Sequence, residues 1–370
     1  MINIFNPYKL GPYLLKNHFV MSAMTRNRAD PKTSIPNDLM AKYYSERAES
    51  AGFVLTECTG VSFRGKGFAG AAGLWNEEQA EGWKKVTDAV HKVNGRIFLQ
   101  IFHVGRAGRS KDIGDVKPLG PSPIALRTKL VEGTTDKYET QDVPEELSIE
   151  GIKQIIKEFR KGAELALKAG FDGIELHGAN GYLVDEFLRD ATNKRTDIYG
   201  GSIENRIRLT LEIIQELIAV FGADKVGIKL SPTNRYNDMY DSNPIKLYKT
   251  LLVELSKLKI AFVEVCQSAD SPYFPNFYGI KETEQIPDAF KEFRSSFQGT
   301  FIANNNLTLE SSSALLASGG ADLFSFGRFF LANPDLVERF IQSKPLNDLD
   351  FNTMYFGGEK GYTDYPKLKN

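Results

Sequence analysis

Cysteine is scarce in this chain of 370 residues, which has only Cys58 and Cys266. Two thiols are too few for a disulfide framework, an iron–sulfur cluster or a four-thiolate zinc site. No HExxH motif or other spacing of ligand residues indicates a metal. The composition therefore predicts a protein of a reducing compartment that works without a bound metal.

Net charge and long apolar runs are also lacking. The formal net charge is −1, which gives no general attraction for nucleic acid or an anionic membrane, so any anion site must be local. No run of about eighteen apolar residues occurs, and the first residues lack the basic and apolar regions of a signal peptide. We expect a cytosolic protein with a small-molecule substrate and without a nucleic-acid or membrane partner.

Short apolar strands alternate with longer helix-like segments along the whole chain, after a hairpin through Gly11-Pro12 and Lys16-Asn17. Such repeats over about 250 residues or more are typical of a (β/α)8 barrel, and no GxGxxG motif supports a doubly wound sheet. We predict an α/β fold with one barrel domain over residues 1–370. The candidate strands are Phe19–Met21, Phe53–Thr56, Ile97–Ile101, Gly173–Leu176, Val226–Leu230, Phe262–Val265, Thr300–Ala303 and Leu323–Phe326.

Helix signals lie between the strands. Ser202 can cap a helix that Gly222 ends, and Asn333-Pro334-Asp335 is typical of a cap followed by proline at the first helical position. Three long connections also follow strands and are predicted to lie on the C-terminal face of the barrel, where catalytic loops sit. They run from Val104 to Leu147, from Ser231 to Pro244 and from Gln267 to Pro287.

Polar residues follow most of the strands, and in a barrel they would converge on one site. His177 and Asn180 are three positions apart and would share one side of a helical turn, with Tyr182 further round. The alternative is that His177 and Asn180 only cap the next helix. Arg328 suits an anion near the last two strands, with backbone N–H groups around Asn304 and Asn305; the alternative is a surface salt bridge.

These motifs resemble the Old Yellow Enzyme family of FMN-dependent ene-reductases, from about Phe5 to Pro366. The resemblance is specific because it covers several separate segments. They are Met24-Thr25-Arg26, Gln100, His177-Gly178-Ala179-Asn180-Gly181-Tyr182-Leu183, Asp197 to Arg206, Gly327-Arg328-Phe329-Phe330 with Asn333-Pro334-Asp335, and Gly361 to Pro366.

The resemblance implies that NADPH or NADH reduces FMN, which in turn reduces enones, maleimides or nitro compounds. Thr25, Cys58 and Gln100 would lie at the flavin ring, and Asn304, Asn305, Gly327 and Arg328 at its phosphate. His177 and Asn180 would bind the substrate carbonyl oxygen, while Tyr182 would donate a proton. Phe102 and Tyr355 would line the substrate pocket. The resemblance leaves the oligomeric state open.

Two positions depart from the family pattern. Lys229 stands where most relatives have an arginine at the flavin N1/O2 edge, so we expect FMN to bind with a shifted redox potential. Asn304 stands where relatives usually have glycine, which would alter the phosphate loop. Lys229 also permits another hypothesis, a Schiff-base aldolase whose phosphorylated substrate is held by Arg328. A non-catalytic flavin-binding protein is a third hypothesis.

Overall fold

Eight parallel strands close into a barrel in the computed structural model, which describes residues 3–129, 138–140, 142–267 and 285–368. Each strand pairs with its neighbours in chain order, and the last pairs with the first. The predicted (β/α)8 fold is therefore confirmed. The strands are β1 Phe19–Met21, β2 Phe53–Leu55, β3 Ile97–Phe102, β4 Gly173–Gly178, β5 Val226–Leu230, β6 Phe262–Cys266, β7 Thr300–Asn304 and β8 Leu323–Phe326.

Helices connect the strands and cover the outside of the barrel. Within the described ranges, no helix has the length and apolarity needed to cross a membrane. The helices are α1 Asp38–Ala48, α2 Glu77–Lys92, α3 Ile149–Lys168, α4 Leu183–Leu188, α5 Ile203–Arg206, α6 Arg208–Phe221, α7 Pro244–Lys257, α8 Ala289–Phe293, α9 Leu309–Ser318, α10 Arg328–Ala332 and α11 Leu336–Ile341.

Two helix predictions need correction. The helix predicted from Ser202 to Gly222 begins and ends where expected, but it is divided into α5 and α6 at Ile207. Asn333 follows the end of α10 instead of starting a helix. The next helix, α11, begins after Asp335, whose carboxylate accepts a hydrogen bond from the Arg339 side chain.

The long connections carry more regular structure than predicted. The segment from Val104 to Leu147 contains a pair of short parallel strands, Leu119–Gly120 with Glu145–Glu146. It also contains an antiparallel pair, Arg127–Lys129 with Tyr138–Thr140. The predicted connection from Gln267 to Pro287 lies mostly outside the described residues.

The barrel interior is apolar at one end and polar at the other. The predicted N-terminal hairpin pairs Tyr8–Leu10 with Tyr13–Leu15 and turns at Gly11, which has a φ of 49°. Two of its leucines, Leu10 and Leu15, pack against the lower interior residues of the barrel. That cluster is Leu10, Leu15, Val20, Phe53, Leu55, Phe98, Phe262, Ile302 and Leu323. Gln100 and Glu264 each lie two residues beyond a member of that cluster, Phe98 and Phe262, toward the C-terminal ends of their strands, which positions the candidate site.

Arginines from the first βα connection bind the C-terminal segment. Arg26 donates hydrogen bonds to the carbonyl oxygen of Met354 at 2.7 Å and stands over the ring of Tyr362. Tyr362 stacks on Tyr43 of α1 with a centroid distance of 4.0 Å. These contacts hold Tyr355 beside the barrel mouth, close enough to influence the ionisation of Tyr182.

Glu186 in α4 is a buried carboxyl whose protonation state affects stability. Its Oε1 accepts a hydrogen bond from the backbone N–H of Arg106 at 2.8 Å. Gly105 is needed beside it, because a Cβ there would lie 2.2 Å from that oxygen and the φ is +64°. Burial raises the pKa of Glu186 to about 8, although the charge of Arg106 acts in the opposite direction.

We predict that Glu186→Gln gains stability relative to the wild type as the pH rises. The folded protein keeps a proton that the unfolded chain loses above its usual pKa of 4.5, so wild-type stability falls between 4.5 and about 8. The difference in the free energy of unfolding should grow by up to about 1.4 kcal/mol per pH unit. Urea denaturation of both proteins across this range measures it, and a constant difference would contradict the prediction.

Candidate functional site

A cavity of about 260 Å³ lies beside the C-terminal ends of β7 and β8. Asn305 and Asn306 both adopt left-handed backbone conformations there, with φ of 78° and 55°. The exposed Arg328 side chain has no hydrogen bond or ion pair within the described part of the chain. The predicted phosphate residues Asn304, Asn305, Gly327 and Arg328 all line this cavity. An unpaired guanidinium at such a cavity suits a phosphate group.

Asn304 lines the cavity, and its side chain also connects the end of β7 to β8 and to the residue after β1. Its side-chain amide donates to Ser22 Oγ after β1 at 3.1 Å and to the carbonyl oxygen of Ser325 in β8 at 3.3 Å. The side chain is nearly fully buried. The Asn304 amide therefore fixes the positions of Ser22 and Ser325 at the cavity. A glycine at this position would remove the N–H group that donates to Ser22 Oγ.

Thr25, Cys58 and Gln100 meet where β1, β2 and β3 end, as predicted. The Cys58 thiol donates to Gln100 Oε1 at 2.9 Å and is hydrogen-bonded to Thr25. Gln100 Nε2 donates to Glu175 Oε1 of β4 at 2.6 Å. Burial raises the pKa of Cys58 to about 12, so the thiol stays protonated at neutral pH. The neutral Cys58 thiol therefore orients the Gln100 amide.

Lys229 forms a buried ion pair inside the barrel. Its Nζ lies 2.8 Å from Glu264 Oε1, on the neighbouring residue of β6, and both side chains are almost inaccessible to solvent. Burial is the largest influence on the pKa of Lys229 and lowers it, but Glu264, Cys266 and Glu175 together raise it above the usual value. The lysine is therefore a fixed cation beside the site.

The His177 side chain faces the site and makes no hydrogen bond with the described residues. The ring is 3% exposed, and neither ring nitrogen has a hydrogen bond within the described residues. Burial, and then the charge of Lys229, lower the pKa of His177 to about 3, so the ring is neutral. Two unpaired nitrogens in a buried ring are costly unless a ligand binds them.

The backbone conformation that places Asn180 in the site differs from the one that the sequence pattern predicted. The predicted helical turn is wrong: His177 belongs to β4, and Asn180 has a left-handed φ of 59°. The capping alternative is also wrong, because α4 begins after Tyr182 and neither residue caps it. Asn180 Oδ1 accepts a hydrogen bond from Asn234 at 2.5 Å. With the oxygen occupied, its NH₂ group remains as a donor.

Tyr182 stands between His177 and Phe102. Its ring centroid is 5.3 Å from that of His177 and 5.4 Å from that of Phe102, with the phenylalanine edge-on. Its hydroxyl is hydrogen-bonded to Tyr236. Burial, followed by the neighbouring Tyr236, raises the pKa of Tyr182 well above its usual value. The phenol therefore retains its proton at neutral pH and has an O–H group to donate.

Several site residues were not predicted from the sequence, among them Ser22, Tyr236, Asn234, Glu175 and Glu264. The two carboxyls had a usable signal, because each interrupts an apolar strand at an alternate position that points into the barrel. Tyr236 lies in a long connection, where the sequence alone does not indicate which way a side chain points. Within the described residues, no cluster of three or more His, Cys, Asp or Glu side chains could hold a metal.

The anion cavity and the polar pocket lie at the same end of the barrel. Ser22 connects them, because it lines the cavity and its hydroxyl lies 3.4 Å from Lys229 Nζ. Such an arrangement can hold a group with a phosphate at one end and a polar ring at the other. FMN has this chemistry, and the residues present fit it.

Known proteins resemble this chain in both sequence and fold. A family model described as "NADH:flavin oxidoreductase / NADH oxidase family" matches residues 3–347. The chain is 39% identical to 12-oxophytodienoate reductase 1 from Oryza sativa subsp. japonica, covering 100% of this chain and 94% of that one. It is 38% identical to the flavin oxidoreductase hxnT of Emericella nidulans, covering 98% and 97%.

Two solved structures extend the similarity to three dimensions. An old yellow enzyme homologue from Zymomonas mobilis has a TM-score of 0.90 and 38% identity, covering 99% of this chain and 100% of that one. Morphinone reductase in complex with tetrahydroNAD has a TM-score of 0.88 and 36% identity, covering 100% and 99%. The chain belongs to the NADH:flavin oxidoreductase / NADH oxidase family, within its Old Yellow Enzyme group, and is an NAD(P)H-dependent FMN oxidoreductase.

Proposed function

We propose that this enzyme reduces the C=C bond of α,β-unsaturated carbonyl compounds, such as enones and maleimides. The observation that carries the proposal is the side chain of His177, a buried neutral imidazole beside the phenol of Tyr182. Neither of its ring nitrogens has a hydrogen-bond partner among the described residues. Relatives named as reductases of 12-oxophytodienoate and of morphinone support the same class of substrate.

We assign cofactor binding to the residues at the ends of six strands. Arg328, with the backbone at Asn304, Asn305 and Gly327, would hold the phosphate of FMN in the 260 Å³ cavity. Thr25, Cys58, Gln100 and Lys229 would contact the ring. When bound, FMN accepts a hydride from NAD(P)H and passes it to the substrate. The protein then has to bind and orient the substrate and supply a proton.

His177 and Asn180 would bind the carbonyl oxygen of the substrate. Hydride arriving at the β-carbon pushes negative charge onto that oxygen, so two N–H donors stabilise the transition state more than the ground state. His177 can donate because its ring is neutral and carries one N–H. The Asn180 amide can donate because Asn234 occupies its oxygen.

Tyr182 would deliver the proton to the α-carbon. A positioned phenol is a competent general acid, and the raised pKa of Tyr182 keeps it protonated. Phe102 and Tyr355 would form the apolar walls of the substrate pocket. Phe102 contacts the rings of both His177 and Tyr182 edge-on, which fixes their spacing.

The Schiff-base aldolase hypothesis loses its support. A lysine nucleophile must be neutral to attack a carbonyl. Lys229 is paired with Glu264 at 2.8 Å, and the surrounding negative groups hold its pKa above the usual value. It therefore serves as a fixed cation.

A labelled product tests the proposed reaction. NADPH deuterated at the transferable C4 position should place most of its label on the β-carbon of cyclohexanone when 2-cyclohexenone is the substrate. Mass spectrometry and NMR of the product locate the label. Deuterium on the carbinol carbon of cyclohexenol would instead show carbonyl reduction and overturn the proposal, as would the absence of any reduced product.

A further inference from the structure

The connection between β5 and α7 holds three of the four polar groups of Asn180. The Asn180 backbone N–H donates to Ser231 Oγ at 2.8 Å, and its carbonyl oxygen accepts from Asn237 Nδ2 at 3.0 Å. The side-chain Oδ1 accepts from Asn234 Nδ2 at 2.5 Å. The remaining group, the side-chain NH₂, makes no hydrogen bond with the described residues. Asn180 therefore follows β4 but is positioned by the connection after β5.

A backbone group fixes the orientation of the Asn234 amide. The N–H of Tyr236 donates to Asn234 Oδ1 at 2.7 Å. A backbone N–H can only donate, so the atom that faces it must be the one oxygen of the amide. The Asn234 side chain is also buried, at 9% exposure. Its NH₂ group therefore faces Asn180, because turning the amide over would leave the Tyr236 N–H opposed to another donor.

The fixed amide of Asn234 in turn determines the orientation of the Asn180 amide. An NH₂ group can only donate, so Asn180 must present its oxygen to Asn234. The opposite orientation would set two NH₂ groups against each other and leave both without an acceptor. The Asn180 NH₂ group therefore lies on the side of its amide that faces away from Asn234.

We propose that Asn234 is a positioning residue for enone reduction, because it holds the Asn180 amide with its N–H groups turned toward the substrate carbonyl oxygen. The proposal rests on the donor role proposed above for Asn180. An Asn180 amide turned the other way would present its own oxygen to the oxygen on which negative charge develops. A donor that is oriented in advance stabilises that charge without any reorganisation during the reaction.

The substitution Asn234→Asp tests this role, because it keeps the shape of the side chain and changes its hydrogen-bonding character. Aspartate still accepts from the Tyr236 N–H, but its second oxygen is also an acceptor and would turn the Asn180 amide over. Reoxidation of the reduced variant by 2-cyclohexenone, followed by anaerobic stopped-flow absorbance, should be slower by a factor of about 10²–10³, as for the loss of one oxyanion donor. Asn234→Ala should lose only about twofold to tenfold, because a freed Asn180 amide still adopts the donor orientation part of the time.

The pH dependence of Asn234→Asp separates orientation from packing. A protonated carboxyl has an O–H group that can donate to Asn180 Oδ1, as the Asn234 amide does. The rate of this variant should therefore rise toward the wild-type rate as the pH falls through the pKa of the introduced carboxyl, which burial raises above its usual value of about 3.9. A loss of packing alone would not respond to pH in this way.

Asn193→Asp is the matched control. Asn193 is buried, and its Oδ1 accepts from the backbone N–H of Arg195, two residues further on, at 3.1 Å. Its Nδ2 donates to the carbonyl oxygens of Phe187 and Tyr199, both at 2.8 Å. The control therefore removes a similarly buried amide donor away from Asn180. Per bound flavin, it should react with the enone at the wild-type rate and show no acid rescue.

An Asn234→Asp rate within about threefold of the wild type would overturn the orienting role, because it lies below the range for an oxyanion donor. A slow rate that does not change with pH would overturn it too, as would a larger loss in Asn234→Ala than in Asn234→Asp. If Asn234→Asp does not fold or does not bind FMN, Asn234→Ala decides in combination with Asn180→Ala. The loss from Asn234→Ala should disappear in the Asn180→Ala background, where no amide remains to be oriented, and an equal loss in both backgrounds would overturn the role.

The two proposals can fail separately. If Asn180→Ala slows enone reduction but Asn234→Asp does not, Asn180 keeps its role as a donor and only the orienting role of Asn234 is wrong. If Asn180→Ala reduces enones at the wild-type rate, the donor role is wrong and Asn234 has no donor to orient.

Discussion

Replacement of Tyr182 by phenylalanine is expected to slow reoxidation of the reduced enzyme by 2-cyclohexenone by a factor of about 10²–10⁴, the usual contribution of a general acid. Reduction by NADPH should be unchanged. The phenol is packed against His177 and Phe102 and is held protonated by burial, so it is available to the substrate carbon but has no task in the first half-reaction.

Anaerobic stopped-flow absorbance separates the two half-reactions for this variant. Tyr199→Phe is a suitable control, because it also removes one hydroxyl hydrogen bond, to Glu212 at 2.9 Å, but lies outside the site. Both half-reactions should be normal in the control. The proton-donor role is wrong if Tyr182→Phe also leaves both unchanged.

The second large effect concerns the two donors to the carbonyl oxygen. His177→Ala and Asn180→Ala should each lower the rate of enone reduction by a factor of about 10²–10³, as expected for the loss of one donor to a developing oxyanion. The combined loss need not be additive, because the two groups act on the same atom.

Oxidation of the reduced variants by ferricyanide provides the control, because that acceptor has no carbonyl to polarise and should react at the wild-type rate. The wild-type rate with the enone should also show no titration of His177 near neutrality, since its pKa lies near 3. A decrease of less than about threefold in either variant is below the range for an oxyanion donor and would refute the assignment.

Much of the fold follows from the sequence because the barrel strands are short apolar segments with consistent spacing. All eight predicted strands form, and their ends differ by at most two residues, as at Gly173–Gly178. Parallel pairing then brings the strand ends together. Thr25, Gln100 and Lys229 therefore lie near one another although they are distant in the chain.

The details that escaped prediction depend on contacts between distant segments. Asn180 takes a left-handed conformation held by Ser231 and Asn234, both from the connection after β5. The helix after Asn333 begins only after Asp335, whose carboxylate accepts a hydrogen bond from the backbone N–H of Leu368 at 2.6 Å. Neither contact leaves a signal in the local sequence.

Buried charges were the harder part of the site to predict. Lys229 was recognised, but its partner Glu264 was not, because a glutamate in an apolar strand gives no indication of which lysine it will face. The register between β5 and β6 decides that pairing.

The absorbance spectrum of the purified protein, recorded anaerobically before and after NADPH and then 2-cyclohexenone, tests the central claim most directly. We predict flavin bands that bleach with NADPH and return when the enone is added. Bands that bleach but do not return with the enone would contradict the proposed reaction, and a protein that cannot be reconstituted with FMN would contradict the whole account of the site.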